Sequence, residues 1–263
     1  MSIYVITHKS FNFKLPDGYK VMLVGANKNK NPQNYLTDNT LDNISDKNGS
    51  YCELTGLYWL WKNCEDNNIG LVHYRRFFYR KSIGGRNSMY LRLLLLGPVK
   101  PVTEDKLDSL LQSYDWIVAH PEHEGNKDLW NQFVVFNHEK DLINTRDAIK
   151  KLYPEYLNDF DKVMHSSDMM SPYNMFYTTK QNMDEYCNWL FNILFLVESE
   201  TDMTGYTDYQ KRLYGFLSER LLNVYLKHNS YKYKVKYLTV FKTDDLSRKR
   251  VFKRLTRKLK ITK

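Results

Sequence analysis

The chain has 263 residues, and its hydrophobic content of 42% with 15% aromatic residues is enough for one large α/β domain or two small ones. Its formal charge at pH 7 is +9, but the stretch from Phe241 to Lys263 holds ten Lys or Arg and two Asp, a net +8. The remainder therefore carries only +1, which lacks the overall basic character typical of a nucleic-acid-binding domain.

The first half of the chain begins with two short apolar runs that predict buried strands, Ile3–Thr7 and Tyr19–Val24. The polar stretch Asn27–Ser50 that follows is too long for a simple connection, and we interpret it as an active-site loop. Apolar and aromatic side chains then recur at helical spacing, which predicts an amphipathic helix over Tyr51–Asn63. Gly70–Tyr74 predicts the next strand.

The second half alternates helical and strand patterns. The predicted helices are Thr103–Leu111, Asn182–Glu198 and Asp208–Lys227, and the predicted strands are Asp115–Ala119, Tyr173–Thr178 and Tyr231–Phe241. This alternation predicts an α/β domain with a mostly parallel central sheet flanked by helices. The ligand site of such a domain is expected at the carboxyl ends of the strands.

The sequence lacks the features that usually identify disulfide-rich, secreted or membrane-spanning proteins and several classes of enzyme. Three scattered cysteines, Cys52, Cys64 and Cys187, are too few for a disulfide framework and favour a reducing compartment. No secretory signal pattern is present, and the longest apolar runs fall short of the ~20 residues of a spanning helix, so we expect a cytoplasmic protein. Motifs of P-loop kinases, dinucleotide dehydrogenases, serine hydrolases and zinc proteases are also missing.

The string His73-Tyr74-Arg75-Arg76 follows a predicted strand directly, at the position where side chains face the ligand crevice. Arginine binds phosphate oxygens through its planar fork and keeps its charge, so this string suits a diphosphate. The alternative is a solvated basic turn whose aromatic residues lie in the core.

Polar residues at other predicted strand and helix ends are candidates for contacts with a nucleotide or a sugar. They are Thr7, His8, Lys9 and Gly25 after the first two strands, and Asp42, Asn43 and Glu53 in the loop and at the helix start. The same residue types are ordinary at turns and helix N-termini, so this alternative stays open.

Glu219 and Arg220 lie in Gly215–Arg220, near the edge of the apolar face of a predicted helix. A carboxylate beside a cleft can accept a proton from an acceptor hydroxyl, although a structural ion pair is the alternative. His120, His123 and His138 have ligand-like side chains without a familiar metal-binding spacing, so no metal site is predicted.

Six strings in this order resemble a family of bacterial capsular and exopolysaccharide biosynthesis proteins. The strings are Ile3–Lys9, Asp42–Ser45, Tyr51–Trp59, Gly70–Arg76, Tyr173–Phe176 and Gly215–Leu222. Members of this family were long described as a domain of unknown function and are regarded as glycosyltransferases. The resemblance extends from about Ile3 to Leu226.

The resemblance implies a GT-A-like nucleotide-sugar-binding domain, which we place at residues 1–241. It also implies transfer of a hexose, with galactose or galactofuranose favoured, from a UDP-sugar to a lipid-linked or oligosaccharide acceptor. Asn174 and Arg220 join the donor-binding candidates on this ground. The sequence departs from the family pattern at Leu41, where Gly is expected, and in Gly125–Phe133, where a Tyr-rich acceptor segment is expected.

The resemblance also raises a point of mechanism. Most GT-A enzymes hold a divalent metal with an Asp-x-Asp motif at the end of a central strand, where this sequence has His-Tyr-Arg-Arg. We therefore hypothesise that Arg75, Arg76 and His73 neutralise the leaving diphosphate, so that no metal cofactor is required. Dependence on Mn²⁺ or Mg²⁺ is the alternative. Glu219 is the first candidate for the catalytic base and Asp128 the second.

The segment 242–263 is predicted to form a basic amphipathic helix that binds an anionic membrane. The residues expected to contact lipid are Arg248, Lys249, Arg250, Phe252, Lys253, Arg254, Arg257 and Lys258. Such a helix would hold the enzyme peripherally at the inner face of the cell membrane. The alternatives are a solvated tail, or an RNA-binding or scaffold protein that uses the tail and the many aromatic residues, although we expect no nucleic-acid partner.

Overall fold

The structure, a computed structural model, describes residues 2–252 and consists of a central sheet between two layers of helices. Nine strands of the described chain form this main sheet, and β7 and β8 pair separately. The strands are β1 (Ser2–Thr7), β2 (Tyr19–Leu23), β3 (Leu36–Thr37), β4 (Asn68–His73), β5 (Arg76–Phe78), β6 (Trp116–Ala119), β7 (Glu122–His123), β8 (Met169–Met170), β9 (Phe176–Thr179), β10 (Val235–Leu238) and β11 (Val240–Lys242).

The helices divide between the two faces of the sheet. They are α1 (Asn48–Tyr51), α2 (Leu54–Asn63), α3 (Arg86–Leu96), α4 (Glu104–Leu111), α5 (Leu129–Phe136), α6 (Glu139–Leu152), α7 (Leu157–Ser166), α8 (Lys180–Glu200) and α9 (Leu213–His228). Buried residues of α2 and α5 to α9 form one hydrophobic core, and those of α3 and α4 form a second with β5 and β11. Side chains of β1 alternate between the two cores, so this strand is buried on both faces.

Strand β1 lies at the centre of the sheet and pairs in parallel with β2 and β4. The order across the sheet is β10-β6-β9-β4-β1-β2-β3, with β5 beside β4 and β11 beside β5. Strand β9 runs antiparallel to both of its neighbours, β4 and β6. The predicted α/β domain with a mostly parallel central sheet flanked by helices is confirmed.

The predicted helix Tyr51–Asn63 begins at Leu54 in the structure, and Tyr51 is the last residue of a separate helix, α1. Cys52 separates α1 from α2 and has a φ of +52°, in the left-handed region that a helix cannot continue through. Glu53 then stands immediately before α2. Periodicity did not show this break, because the apolar residues on both sides of it pack into the same core.

Four helices are absent from the sequence-based prediction: α3, α5, α6 and α7. Helix α6 has only a few buried residues, including Leu142, Ala148 and Ile149, among many charged ones. Helix α3 has the opposite pattern, because Leu91, Leu95 and Leu96 are exposed while Met89 and Leu93 are buried. The buried positions of α6 recur at helical spacing, but Asp141 and Thr145 among them are polar, so the sequence shows only part of an apolar stripe. In α3 the exposed leucines obscure the buried face.

The segment assigned to the tail begins inside the folded domain. Lys242, its first residue, belongs to β11, which pairs antiparallel with β5. Asp245 accepts a hydrogen bond from Tyr90 of α3 at 3.1 Å, and Val251 is buried. Residues 248–252 are helical.

The other predicted membrane contacts, Lys253, Arg254, Arg257 and Lys258, lie outside the described residues. None of the helices within residues 2–252 combines the length and the apolar character needed to span a bilayer.

The long polar loop after β2 is organised around the buried carboxylate of Asp38. This carboxylate accepts hydrogen bonds from the backbone amides of Gly25 and Ala26, at 2.9 and 3.1 Å. It also accepts bonds from the hydroxyl groups of Ser45 and Thr55, at 2.7 and 2.5 Å. These four donors connect the end of β2 to the start of α2, so that the loop has a defined path.

Replacing Asp38 with alanine is expected to lower the free energy of unfolding by about 3 kcal/mol, because four buried donors lose their shared acceptor. Urea denaturation of both proteins would measure the change. Asp46→Ala is the matched control, because its carboxylate accepts an exposed hydrogen bond from Asn27. An equal, small effect of the two substitutions would contradict the prediction.

Candidate functional site

A cleft of about 550 Å³ opens at the carboxyl ends of β1 and β4, opposite the first turns of α9. Eight of the residues predicted from the sequence line it: Thr7, His8, Glu53, His73, Tyr74, Arg75, Arg76 and Glu219. The folded chain therefore brings together four separate sequence regions at the edge of the sheet where α/β proteins bind their ligands.

Three arginines supply positive charge to this cleft. Arg76 lies over the ring of Tyr173, with 4.3 Å from its guanidinium carbon to the ring centroid. Among the described residues, no group accepts a hydrogen bond from the buried Nε of Arg76. The Arg75 side chain is 46% exposed and lies 3.9 Å from Asp244. Arg212 donates to the Cys52 sulfur at 3.4 Å.

Glu219 is a partly buried carboxylate with an unusual proton affinity. Burial, reinforced by the negative charge of Glu53, raises the pKa of Glu219 to about 7, although Arg220 and Arg76 act in the opposite direction. Its Oε1 accepts a hydrogen bond from the backbone amide of Tyr173 at 3.1 Å. Burial also raises the pKa of Glu53. Near neutral pH, Glu219 can therefore both accept and release a proton.

The turn at Tyr173 and Asn174 connects the two carboxylates. Both residues have positive φ values, +78° and +50°, which are strained for residues with side chains. The amide nitrogen of the Asn174 side chain donates to Glu53 at 2.8 Å and to the hydroxyl of Ser218 at 2.7 Å. The donor-binding candidate Asn174 therefore lies behind the cleft, where it orients Glu53.

His73 holds the same turn in place. Its Nε2 lies 2.6 Å from the carbonyl oxygen of Tyr173. A carbonyl only accepts hydrogen bonds, so Nε2 carries the proton and donates. Burial and the charge of Arg76 lower the pKa of His73 to about 4. His73 is therefore neutral near pH 7 and does not supply the positive charge that we considered for it.

The turn after β1 forms the rim of the cleft. Thr7 donates from its hydroxyl to the carbonyl of Lys9 at 2.5 Å. The rings of His8 and Tyr74 meet edge to face at 5.5 Å, and the Lys9 amine lies 5.5 Å from the Tyr74 ring centroid. Burial and the charges of Lys9 and Arg75 lower the pKa of His8. The charge at this rim therefore comes from Lys9 and Arg75.

Three donor-binding candidates lie outside the lining of the cleft, in the loop after β2. Gly25 donates to Asp38 and has a φ of +61°. Asp42 accepts a bond from Tyr58 at 3.2 Å, and Asn43 accepts one from the Ser45 amide at 3.2 Å. Leu41 has a φ of +52°, so the position where Gly was expected has a backbone that favours Gly.

Arg220 and Asp128 have structural contacts away from the cleft. Arg220 is buried, donates to the Phe216 carbonyl at 2.8 Å and lies over the ring of Phe133. Asp128 caps α5 by accepting from the Asn131 amide at 2.7 Å. Neither of these two candidates lines the cleft, whereas Glu219, the first candidate base, does.

The three histidines considered as metal ligands point to different partners. His120 contacts the Pro121 carbonyl, His123 contacts Asp168 at 2.8 Å, and the ring of His138 packs on Tyr206. Within residues 2–252, no group of three or more His, Cys, Asp or Glu side chains is placed to hold a metal ion.

Sequence reasoning missed Arg212, Tyr173, Tyr209, Cys52 and Phe216 as lining residues. Tyr173 and Phe216 belong to strings that carried the family resemblance, which is a signal that could have identified them. Arg212 has no such signal. It reaches the cleft from a short 3-10 helix, where α9 approaches Cys52 closely: a Cβ on Gly215 would lie 3.2 Å from the Cys52 sulfur.

Known proteins similar to this chain include one protein family and one solved structure. A family model described as a domain of unknown function, DUF4422, matches residues 2–230, and the chain belongs to this family. The chain is also similar to the apo structure of the bifunctional glycosyltransferase WbbM, with 26% identity and a TM-score of 0.80. The match covers 92% of this chain but only 45% of WbbM. No functionally curated protein matches the sequence.

Glu219 should make the stability of the protein depend on pH. Its pKa is raised on folding from 4.5 to about 7, so the folded state binds this proton more tightly than the unfolded state. The stability that this proton contributes is fully present below about pH 4.5 and is lost as the pH rises through about 7. Relative to Glu219→Gln, the wild type should lose on the order of 3 kcal/mol over this window.

Urea denaturation of both proteins at several pH values would measure this difference. Glu198→Gln is a suitable control, because Glu198 is a partly exposed carboxylate that bonds Lys47 and Tyr51. A constant difference between wild type and Glu219→Gln from pH 5 to 8 would contradict the raised pKa.

Proposed function

We propose that this chain is a glycosyltransferase that moves a hexose, with galactose or galactofuranose favoured, from a UDP-sugar to a lipid-linked or oligosaccharide acceptor. The observation that carries the proposal is that Arg75, Arg76 and Arg212 line one cleft together with the partly buried carboxylate of Glu219. The similarity to WbbM, a protein described as a bifunctional glycosyltransferase, supports the same activity.

In the proposed reaction, the acceptor hydroxyl attacks the anomeric carbon while the bond from that carbon to the diphosphate oxygen breaks. The nucleoside diphosphate leaves with the bonding electrons, and Glu219 accepts the proton of the hydroxyl. A carboxylate whose pKa is about 7 is well matched to this role at neutral pH. Glu53 contributes by raising that pKa through its negative charge.

The negative charge that develops on the leaving diphosphate requires compensation. Arg75, Arg76 and Arg212 provide fixed cations, and the free Nε of Arg76 is a buried donor without an acceptor among the described residues. Preorganised cations stabilise a leaving group without reorganisation during the reaction. We therefore propose that transfer requires no Mn²⁺ or Mg²⁺.

The proposed lipid-linked acceptor indicates where in the cell the protein would act. Synthesis of a capsular polysaccharide or exopolysaccharide from a lipid-linked acceptor takes place at a membrane, and the basic segment after β11 suits an anionic inner leaflet. We propose that the protein is cytoplasmic and associates peripherally with that leaflet.

Nucleotide binding provides the first test. UDP should raise the melting temperature of the wild type more than GDP, CMP or TDP does, and the rise should persist in EDTA, because the arginines bind the diphosphate directly. Arg76→Ala should weaken UDP binding by at least about tenfold, since it removes a charged hydrogen-bond donor. Arg146→Ala, which removes an arginine paired with Asp161 on the helical layer, is the matched control.

Loss of the UDP effect in EDTA, with recovery on addition of Mn²⁺, would overturn metal independence. The absence of stabilisation by all four nucleotides would contradict the proposed donor class.

The pH dependence of transfer tests the proposed base. The value of kcat/KM should rise with pH to a plateau above about pH 7, because Glu219 acts in its ionised form. Glu219→Gln should lower kcat by at least about a hundredfold and should lack this rise. UDP binding should change little, which separates chemistry from binding. Unchanged kcat in Glu219→Gln would exclude the residue as the base.

A further inference from the structure

A second concave surface lies on the α3 and α4 side of the sheet. It is a groove of about 1150 Å³ beside the edge strand β10. Its lining contains no acidic residue. The six basic residues that line it are Arg80, Lys81, Arg92, Lys100, Lys106 and Lys236. Val99, Val102 and Leu238 form an apolar floor. Within residues 2–252, none of the six cations forms an ion pair with a carboxylate.

Helix α3 presents apolar side chains to solvent next to this groove. Leu91, Leu95 and Leu96 are 58%, 67% and 71% exposed. Leu91 and Leu95 are one helical turn apart, so they lie on the same face of the helix. Arg92 of the same helix lines the groove, and the chain reaches Lys100 four residues after Leu96. Apolar and basic groups are thus combined on one surface.

The start of the basic segment lies on the same surface. Arg248 donates to the carbonyl oxygen of Leu95 at 3.4 Å. Tyr90 of α3 bonds Asp245 at 3.1 Å. From Leu246 onward the sequence contains nine basic residues and no acidic residue. The chain therefore enters its most basic segment beside the exposed leucines.

We propose that the groove and the exposed face of α3, here called the α3 face, form a docking surface for an anionic phospholipid bilayer. The three leucines insert among the acyl chains near the interface, while the basic residues contact lipid phosphates. This extends the membrane association proposed above and rests on it: the folded domain itself, not only the tail, contacts the leaflet.

Charge and apolar character together favour a bilayer over the other occupants. A nucleic acid would pair with the cations but would leave the leucines in water. A second copy of this chain would bring an equally basic groove against this one, and like charges oppose such a contact. A bilayer with anionic headgroups satisfies both groups at once.

The position of the α3 face suits the proposed reaction. Arg76 in the donor cleft and Arg80 in the groove are four residues apart along the chain. Their Cα atoms can therefore be no more than about 14 Å apart. An acceptor headgroup held at the leaflet would lie close to the cleft, so that docking would position it for transfer.

Flotation of the full-length protein with vesicles tests the leucines. The protein should bind vesicles of phosphatidylcholine with phosphatidylglycerol, and it should bind phosphatidylcholine alone weakly. Replacing Leu91, Leu95 and Leu96 together with serine should lower binding by at least about tenfold. The control triple replaces Val135, Ile143 and Leu152, which are 60%, 46% and 40% exposed on α5 and α6, with serine.

A second pair of variants tests the charges. Replacing Lys81, Lys100 and Lys106 with serine should lower binding by at least about tenfold and weaken its dependence on salt. The matched control makes the same change in net charge at Lys150, Lys162 and Lys227, which are exposed on α6, α7 and α9. Unchanged thermal unfolding would show that each variant is folded.

Several results would overturn the proposal. If the leucine and lysine triple variants both bound vesicles as well as the wild type does, the tail would be the membrane contact. If the wild type did not bind vesicles, the α3 face would not be a membrane-docking surface. Binding of an RNA oligonucleotide that depends on the lysines but not on the leucines would indicate nucleic acid instead. A wild-type dimer that is lost in the leucine triple variant would indicate that a second copy of the chain occupies this surface. UDP stabilisation of the same preparations reports separately on the proposed transferase activity.

Discussion

The strained turn at Tyr173 and Asn174 is the constraint on which the candidate cleft depends. Its backbone is held in the left-handed region by contacts from three separate parts of the chain: His73 at the end of β4, Glu219 in α9 and Glu53 before α2. The turn bonds both carboxylates and accepts a hydrogen bond from His73, so its conformation fixes the positions of three ionisable side chains. A single strained turn therefore couples the sheet to the helical layer at the site.

The electrostatics of the cleft follow from the balance around this turn. Burial and mutual repulsion raise the proton affinity of Glu219, while nearby arginines lower it, and the outcome is a pKa of about 7. Burial and the charge of Arg76 keep His73 neutral. A cleft lined by arginines and by a carboxylate whose pKa is about 7 suits a reaction that releases an anion and a proton together.

Large aromatic side chains and exposed aliphatic side chains lie in different parts of the domain. Aromatic residues such as Trp116, Tyr177 and Tyr186 are fully buried and build the core, so they are not available as stacking platforms for RNA bases. The apolar side chains that do reach solvent on α3 stand beside basic residues. The domain thus has, besides the cleft, a second surface on which basic and apolar groups lie together.

Local pattern in the sequence determined the class of fold, the positions of β1, β2, β4 and α8, and eight of the residues that line the cleft. It could do so because apolar periodicity and polar strand ends are local properties. The break at Cys52, the turn at Tyr173 and the approach of Arg212 were decided only by the tertiary structure, because each depends on contacts between distant segments. The same holds for the protonation of Glu219 and His73: the sequence names the groups, but burial and neighbouring charges set their pKa values.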